Sequence, residues 1–228
     1  MSVARTKTVA LPREMRPAGS MVDVLSALAK RGLDVALAGA GLIASAPLWA
    51  LFALAIKLED GGPVFYVQER SGLGGAPFSA LKFRSMVPHA EAGVGAIQAT
   101  EDDPRVTRVG RLLRATAMDE LPQLWNIFRG DMSFVGPRAL RPGEIEPTGD
   151  GKVELLEDVP GFAQRARVRP GLTGIAQIYA PRDISRRLKF RYDLLYVRRQ
   201  SFWLDARLIL LSFWITLRGT WEVRGRKF

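Results

Sequence analysis

The segment VALAGAGLIASAPLWALFALAI, residues 35–56, contains 22 residues and no charged side chain. As a continuous α-helix it would be about 33 Å long, which is enough to cross the hydrocarbon core of a bilayer. Lys30 and Arg31 precede this segment and Lys57 follows it. Because basic residues stay on the cytoplasmic side, both ends of the segment favour the same face of a membrane.

A proline, Pro47, lies inside this segment, two residues after Ser45. Proline removes a helical hydrogen bond and clashes with the preceding turn, and Ser45 can satisfy a freed carbonyl. A helix that enters the membrane, breaks at Pro47 and leaves by the same face therefore competes evenly with a simple spanning helix. A signal peptide cleaved after residues 44–46 is disfavoured, because about thirty residues precede the apolar segment and Pro47 would follow the cut.

The composition of the 228 residues excludes several classes of protein. With 47% hydrophobic and 25% charged residues, the chain is a folded domain and not a disordered one. The absence of cysteine excludes disulfides, thiolate metal sites and a cysteine nucleophile, and a single histidine excludes most histidine chemistry. The net charge of +10 favours an anionic partner, either a nucleic acid, a phosphorylated ligand or an anionic membrane face.

Periodicity and turn residues predict an α+β fold that is mainly helical. Residues 1–19 are predicted to be a mobile basic tail, and 141–167 a long loop with one short helix. A small β-hairpin is predicted around the Gly-rich turn at 71–75. The predicted elements are a helix starting near residue 20, strands at 64–68 and 78–86, and helices at 105–115, 119–130, 184–198 and 202–217, of which the last is a core or interfacial helix.

The adjacent acids Asp119 and Glu120 open the helix predicted at 119–130, with Asp119 as the N-cap. A helix N-terminus stabilises negative charge, so both carboxylates should be ionised. Neighbouring carboxylates suit Mg²⁺, which commonly binds one or two carboxylates together with substrate phosphates. An ionised aspartate can also attack phosphorus. On local pattern alone, a purely structural N-cap is the more economical interpretation.

Arginines that are held at turns are candidate phosphate ligands, because a guanidinium grips phosphate with two hydrogen bonds. Arg138 follows Gly136 and Pro137, and Arg169 precedes a Pro-Gly turn. Arg114 lies with two further arginines on one face of the helix predicted at 105–115, where a solvated basic face is the alternative.

Taken together, these fragments resemble the bacterial sugar transferase family, the monotopic polyprenol-phosphate phosphoglycosyl transferases. The resemblance covers residues 30–221. Its most specific part is the joined pattern DELPQLWN…GDMSFVGPR. The motifs that carry it are KRGLD at 30–34, KFRSM at 82–86, DDPRVTRVG at 102–110, DELPQLWN at 119–126, GDMSFVGPR at 130–138, VRPGLTGIAQ at 168–177 and DLLYV at 193–197.

The resemblance implies transfer of a sugar 1-phosphate from a UDP-sugar to polyprenol (undecaprenyl) phosphate, with release of UMP, a covalent aspartyl intermediate and a Mg²⁺ requirement. By position, Asp119 matches the nucleophile and Glu120 its metal-coordinating neighbour. Arg114 and Arg138 match basic residues near the substrate phosphates, and phosphate-binding roles are also expected for Lys82 and Arg169.

The family's architecture implies a tail over 1–19, a re-entrant membrane helix over 20–58 and a cytoplasmic catalytic domain over 59–228 with an interfacial C-terminal helix. The expected location is the cytoplasmic face of the bacterial inner membrane, in contact with its lipids. Nucleic acid is not an expected partner, and a homodimer stays one option. The chain looks like a minimal catalytic form without the multi-span region of larger members.

Three positions depart from the family pattern. Ala46 stands where members have the serine of a Ser-Pro break, Ala139 stands where proline usually follows Gly-Pro-Arg, and residues 199–201 replace a common Asn-x-Ser pattern. Two rival functions remain: a glycosyltransferase that acts on the same lipid and releases UDP, and a non-catalytic, membrane-attached protein that binds nucleic acid.

Overall fold

A single helix of 40 residues, α1 (Met21–Asp60), contains the whole apolar segment. The structure is a computed structural model that describes residues 21–90, 103–147, 152–181 and 184–218. The predicted tail over 1–19 therefore lies outside the described residues. The α-helix continues through Pro47, so the predicted interruption of the helix at this residue is not observed, and the re-entrant path stays a prediction. Ser45 is buried, and its hydroxyl accepts a hydrogen bond from the indole of Trp49 at 3.0 Å.

One stripe of α1 packs on the rest of the protein along most of its length. Before Pro47, Ala38 packs with α3. After Pro47, Ile56 packs with a second cluster that includes Phe83 and Leu113. The opposite face exposes large apolar side chains. Of the described residues, only α1 forms a helix that is long and apolar enough to cross a membrane.

The remaining elements follow the predicted order, with shifted boundaries. The helices are α2 (Arg108–Ala115), α3 (Gln123–Arg129), α4 (Phe162–Arg165), α5 (Ile175–Tyr179), α6 (Arg186–Arg199) and α7 (Phe202–Arg218). The strands are β1 (Phe65–Ser71), β2 (Pro77–Phe83), β3 (Ser133–Val135), β4 (Ile145–Pro147), β5 (Val153–Leu155) and β6 (Gly171–Thr173). The mainly helical character and the small sheets agree with the predicted fold class.

The predicted hairpin is confirmed, since β1 and β2 pair antiparallel with Tyr66 opposite Lys82. The parallel pair β3 and β6 was not predicted. It depends on close backbone approach, because a Cβ atom on Gly171 would lie 2.0 Å from the amide nitrogen of Gly136. Glycine is required where two backbones meet at such a distance.

The segment predicted as one long loop, 141–167, contains α4 as expected but also the short antiparallel strands β4 and β5. Each strand has three residues, too few for alternation of apolar and polar residues to be recognised.

The apolar spacing over residues 121–128 is typical of an amphipathic helix, but the buried face of α3 does not follow it. Leu124 and Asn126 are buried, whereas Trp125 and Phe128 are 47% and 40% exposed and stack on each other. The ring of Phe128 lies beside α1, 3.5 Å from where a Cβ atom added to Gly39 would stand.

Candidate active site

The two acidic residues lie in a 3₁₀ turn, Met118–Glu120, that connects α2 to α3. The sequence predicted Asp119 as the N-cap of α3, and this prediction is wrong. That position belongs to Pro122, which makes no side-chain cap. Proline has no N–H group and cannot continue the hydrogen bonds of the preceding turn, so α3 begins after it. Ala117, with φ 56°, reverses the chain at the end of α2 and directs the turn towards the hairpin.

Asn126 fixes the distance between the acidic turn and the hairpin. Its Nδ2 donates to the carbonyl of Ser79 at 2.8 Å, and its Oδ1 accepts from the amide of Leu81 at 2.9 Å. The edge of β2 is thereby bonded to α3 beside Lys82. A buried amide with both ends satisfied rigidifies its surroundings, so the position of Lys82 relative to the acids is well defined.

Lys82 and Arg138 converge on Glu120. The Lys82 ammonium lies 2.5 Å from Glu120 Oε1 and 3.9 Å from Asp119 Oδ2, and Arg138 Nη2 lies 3.6 Å from Glu120 Oε1. The side chains of both acids are mostly buried, whereas that of Arg138 is 49% exposed. The structure thus brings together four of the predicted site residues, of which Lys82, Glu120 and Arg138 line one shallow cavity and Asp119 lies next to them.

The two carboxyl groups differ in proton affinity. Burial raises the pKa of Asp119 to about 6, with Lys82 opposing the rise and the Glu120 charge adding to it. Burial would also raise the pKa of Glu120, but the positive charges of Lys82 and Arg138 outweigh it and lower that pKa to about 2. Both acids are mainly ionised at pH 7, as predicted, but cationic side chains and not a helix N-terminus account for it.

The remaining two predicted residues have different placements. Arg114 lies near enough to Asp119 for its charge to lower the pKa of that acid. Arg169 Nε donates to the carbonyl of Gly130 at 2.7 Å, and no ion pair joins Arg169 to either acid within the described part of the chain. The phosphate-binding role of Arg169 stays a prediction without geometric support.

Arg70 is a functional candidate that the sequence reasoning missed. Its guanidinium lines the cavity beside Lys82, Glu120 and Arg138. Burial, together with the nearby charge of Arg138, lowers the pKa of Arg70 to about 10. Alternation along β1 could have found it, since Tyr66, opposite Lys82, and Arg70 share one face of the hairpin.

Asp119 and Glu120 supply some, but not all, of the ligands that a Mg²⁺ ion needs. No group of three or more acidic or histidine side chains that could hold a metal occurs among residues 21–90, 103–147, 152–181 and 184–218. Asp119 and Glu120 supply carboxylate oxygens, although Lys82 already bonds to Glu120 Oε1. This donor set does not form an all-protein cage. It fits a Mg²⁺ ion that takes one or two carboxylates and completes its shell with substrate phosphates and water.

Comparison with known sequences decides the family. A family profile described as "Bacterial sugar transferase" matches residues 25–219. The chain belongs to the bacterial sugar transferase family. The matched region includes α1 from residue 25 onwards, the hairpin, the acidic turn and the later helices that the structure describes, so the predicted resemblance is confirmed.

Several members of this family are similar to the chain over most of its length. The UDP-glucose:undecaprenyl-phosphate glucose-1-phosphate transferase of Caulobacter vibrioides is 44% identical over 202 residues, which cover 86% of this chain and 72% of that protein. The exopolysaccharide production protein ExoY of Rhizobium meliloti is 37% identical, with 86% and 85% covered. The UDP-N-acetylgalactosamine-undecaprenyl-phosphate N-acetylgalactosaminephosphotransferase of Aeromonas hydrophila is 37% identical, and this chain spans only 44% of it.

Proposed function

We propose that this protein transfers a sugar 1-phosphate from a UDP-sugar to undecaprenyl phosphate and releases UMP. It rests on the pair Asp119 and Glu120: Lys82 contacts both acids, Arg138 pairs with Glu120, and Lys82, Glu120 and Arg138 line a shallow cavity beside Asp119. Phosphoryl transfer needs an aligned nucleophile and cations that stabilise the charge on the transferred group. The names of relatives from Caulobacter vibrioides and Aeromonas hydrophila support the same reaction class.

The reaction proceeds in two steps through Asp119. A carboxylate oxygen of Asp119 attacks the donor phosphorus that bears the sugar, and the bond from that phosphorus to the bridging oxygen of the diphosphate breaks, so that UMP leaves with the oxygen. A phosphate oxygen of undecaprenyl phosphate then attacks the same phosphorus, and the aspartate carboxylate is released. A covalent intermediate lets a water-soluble donor and a lipid acceptor visit one site in turn.

The residues around Asp119 have separable tasks in this scheme. Lys82 keeps Asp119 ionised by opposing the effect of burial on its pKa. Arg138, which is half exposed at the cavity edge, is placed to bind the anionic phosphates of incoming substrates. Mg²⁺ would be held by Asp119 and Glu120 together with those phosphates, and it would neutralise charge on the diphosphate.

The protein acts at the cytoplasmic face of the inner membrane, and α1 enters and leaves the membrane on that face. The contacts of α1 support this topology. Arg31 donates to the carbonyl oxygens of Ile127 and Phe128, and 29 positions later the carboxylate of Asp60 pairs with Arg84. Both flanks of the apolar segment are therefore anchored on the same body as the acidic site, which disfavours a helix whose two flanks lie on opposite sides of a bilayer.

The chain contains no cysteine, so single-cysteine variants test this topology directly. Leu28 and Leu58 flank the apolar segment, and their side chains are 63% and 77% exposed. In Leu28→Cys and Leu58→Cys variants, a membrane-impermeant maleimide should label both positions in inverted vesicles and neither in intact spheroplasts. Labelling of the two cysteines from opposite sides would rule out the re-entrant helix.

Product analysis distinguishes the proposed reaction from its main rival. Purified protein is incubated with undecaprenyl phosphate, Mg²⁺ and a panel of UDP-hexoses that includes UDP-glucose and UDP-N-acetylgalactosamine. We expect UMP and a lipid diphosphosugar with at least one donor, and no turnover by Asp119→Asn. Release of UDP would instead identify a glycosyltransferase, which breaks the bond between the sugar and its oxygen.

A further inference from the structure

A buried ion pair outside the cavity contacts the backbone of Arg138. Arg165 on α4 and Asp193 on α6 are only 6% and 4% exposed, and Arg165 Nε donates to Asp193 Oδ2 at 2.8 Å. The guanidinium also lies over the ring of Phe190, 4.8 Å from its centre. Burying two charges is costly unless their donors and acceptors are hydrogen-bonded. The nitrogen atoms of the Arg165 guanidinium that do not bond Asp193 are therefore expected to have another partner.

That partner is the backbone of the site. Arg165 Nη2 donates to the carbonyl oxygen of Arg138 at 2.5 Å. On the cavity side, Arg70 Nη1 donates to the carbonyl oxygen of the next residue, Ala139, at 3.0 Å. Two guanidinium groups from different elements thus hold two consecutive carbonyls of one segment.

The same segment is fixed at its other end by β3 and β6. The amide of Gly136 donates to the carbonyl of Thr173, and the amide of Gly171 donates to the carbonyl of Pro137, each at 2.9 Å. The backbone before Arg138 is therefore bonded to β6, and the backbone from Arg138 onwards is bonded to Arg165 and Arg70. The side chain of Arg138 is 49% exposed, so its position depends on its backbone and on the ion pair with Glu120.

We propose that Arg165, held by Asp193, is a positioning residue that sets the Arg138 side chain for substrate phosphate. This inference rests on the proposed function, and it assigns to the Arg165–Asp193 pair a role in the reaction and not only in stability. Lysine at position 165 would keep the positive charge but could not bond Asp193 and the Arg138 carbonyl through one planar group. The Arg138 backbone would then shift, and shifts near 1 Å in a substrate-positioning group cost about 100-fold in rate.

The test is a double-mutant cycle between Arg165→Lys and Arg138→Ala, assayed by UMP release below the unfolding temperature of every variant. Arg165→Lys alone should lower kcat/KM for the UDP-sugar by about 10- to 100-fold. In the Arg138→Ala background, the same change should cost less than about threefold, because a positioning effect disappears with the group that is positioned. Arg167→Lys is the matched control, since Arg167 is exposed two residues away, and it should keep wild-type kcat/KM.

Each outcome of the cycle either supports or contradicts the positioning role of Arg165. Equal losses in both backgrounds, or no loss from Arg165→Lys, would overturn the positioning role while leaving the proposed function intact. A wild-type protein that releases no UMP from any donor would overturn the proposed function and this inference together. If Arg165→Lys does not fold, Asp193→Asn replaces it in the cycle, because asparagine keeps the size of the side chain and an acceptor for Arg165. The loss of kcat/KM that Asp193→Asn causes, expected to be smaller, must also disappear in the Arg138→Ala background.

Discussion

The Lys82 ammonium lies 3.9 Å from the Asp119 carboxylate and opposes the rise in pKa that burial causes there. Because only ionised Asp119 can attack phosphorus, UMP release should fall at acidic pH; the pKa of about 6 sets this limb for the metal-free site, and bound Mg²⁺ would move it to lower pH. In Lys82→Gln the pKa of Asp119 rises further, so the acidic limb of the pH–rate profile should move to higher pH. Profiles of kcat/KM between pH 5 and 9, recorded for the wild type and for Lys82→Gln, measure the acidic limb of each protein.

Lys82→Arg is the matched control for this experiment, because it retains the positive charge. Its acidic limb should stay near that of the wild type even if its maximal rate falls. An unchanged acidic limb in Lys82→Gln would contradict the assignment of the titrating group to Asp119.

Asp119→Asn should increase the stability of the folded protein at pH 8 while abolishing turnover. The pKa of Asp119 is raised from 3.8 to about 6, so the folded state binds a proton more tightly than the unfolded state. The wild type therefore loses stability as the pH rises from about 4 to about 6, by on the order of 1–3 kcal/mol. Asparagine carries no charge and avoids that cost. Unfolding temperatures in detergent at pH 4 and pH 8 test this.

The stabilisation by Asp119→Asn should be largest at pH 8 and should shrink towards pH 4, where wild-type Asp119 is already protonated. Asp158→Asn, a change of the same kind at an exposed position, is the matched control. A loss of stability in Asp119→Asn at pH 8 would mean that the carboxylate is stabilised, not strained, by its surroundings.

Ala117→Gly should stabilise the protein by about 0.5–1 kcal/mol, because Ala117 has a left-handed backbone that glycine adopts at no steric cost. Ala115→Gly, at an exposed position in the last turn of α2, should have the opposite effect, since glycine weakens a helix. Thermal unfolding measures both variants. Destabilisation by Ala117→Gly would show that its methyl group contributes more through packing than it costs in backbone strain.

The outer face of α7 should contact lipid. Trp203 is 79% exposed, and Leu210 and Leu217 are each 71% exposed on the same helix, whereas Asp205 and Leu208 are buried. Such a division is typical of a helix lying in a membrane interface. In a variant whose only tryptophan is Trp203, brominated lipids in nanodiscs should quench its fluorescence strongly. Emission unaffected by bromination would place this face in water.

The same variant has a control in a quencher that stays in water. Acrylamide should quench Trp203 weakly in nanodiscs and strongly after the protein is unfolded. Strong quenching by acrylamide in nanodiscs would count against a lipid-facing surface on α7.

The elements that were predicted correctly are those with strong local signals. The hairpin could be located because β-type residues flank a Gly-rich turn, and α6 and α7 because their lengths and apolar spacing are characteristic. The parallel pairing of β3 with β6 could not be predicted, since it joins three-residue strands that are distant in the sequence.

The site was predictable in its chemistry but only partly in its geometry. Asp119 and Glu120 were identified by their adjacency and by the family pattern, but their 3₁₀ turn depends on the reversal at Ala117, which no local preference of alanine predicts. The positions of Arg169 and Arg165 were equally hidden. Each bonds a backbone carbonyl far away in sequence, Gly130 and Arg138 respectively, and such contacts exist only after folding.

The covalent role of Asp119 is tested by asking whether this residue becomes bonded to the donor phosphorus. The wild type and Asp119→Asn are incubated with Mg²⁺ and the active UDP-sugar but without lipid acceptor, quenched in acid and analysed by peptide mass spectrometry. We expect the wild-type peptide containing Asp119 to gain the mass of the sugar 1-phosphate less one water, equimolar UMP to appear, and the variant to show neither. A wild-type peptide that stays unmodified, under conditions in which a reference acyl phosphate survives, would contradict the proposed intermediate.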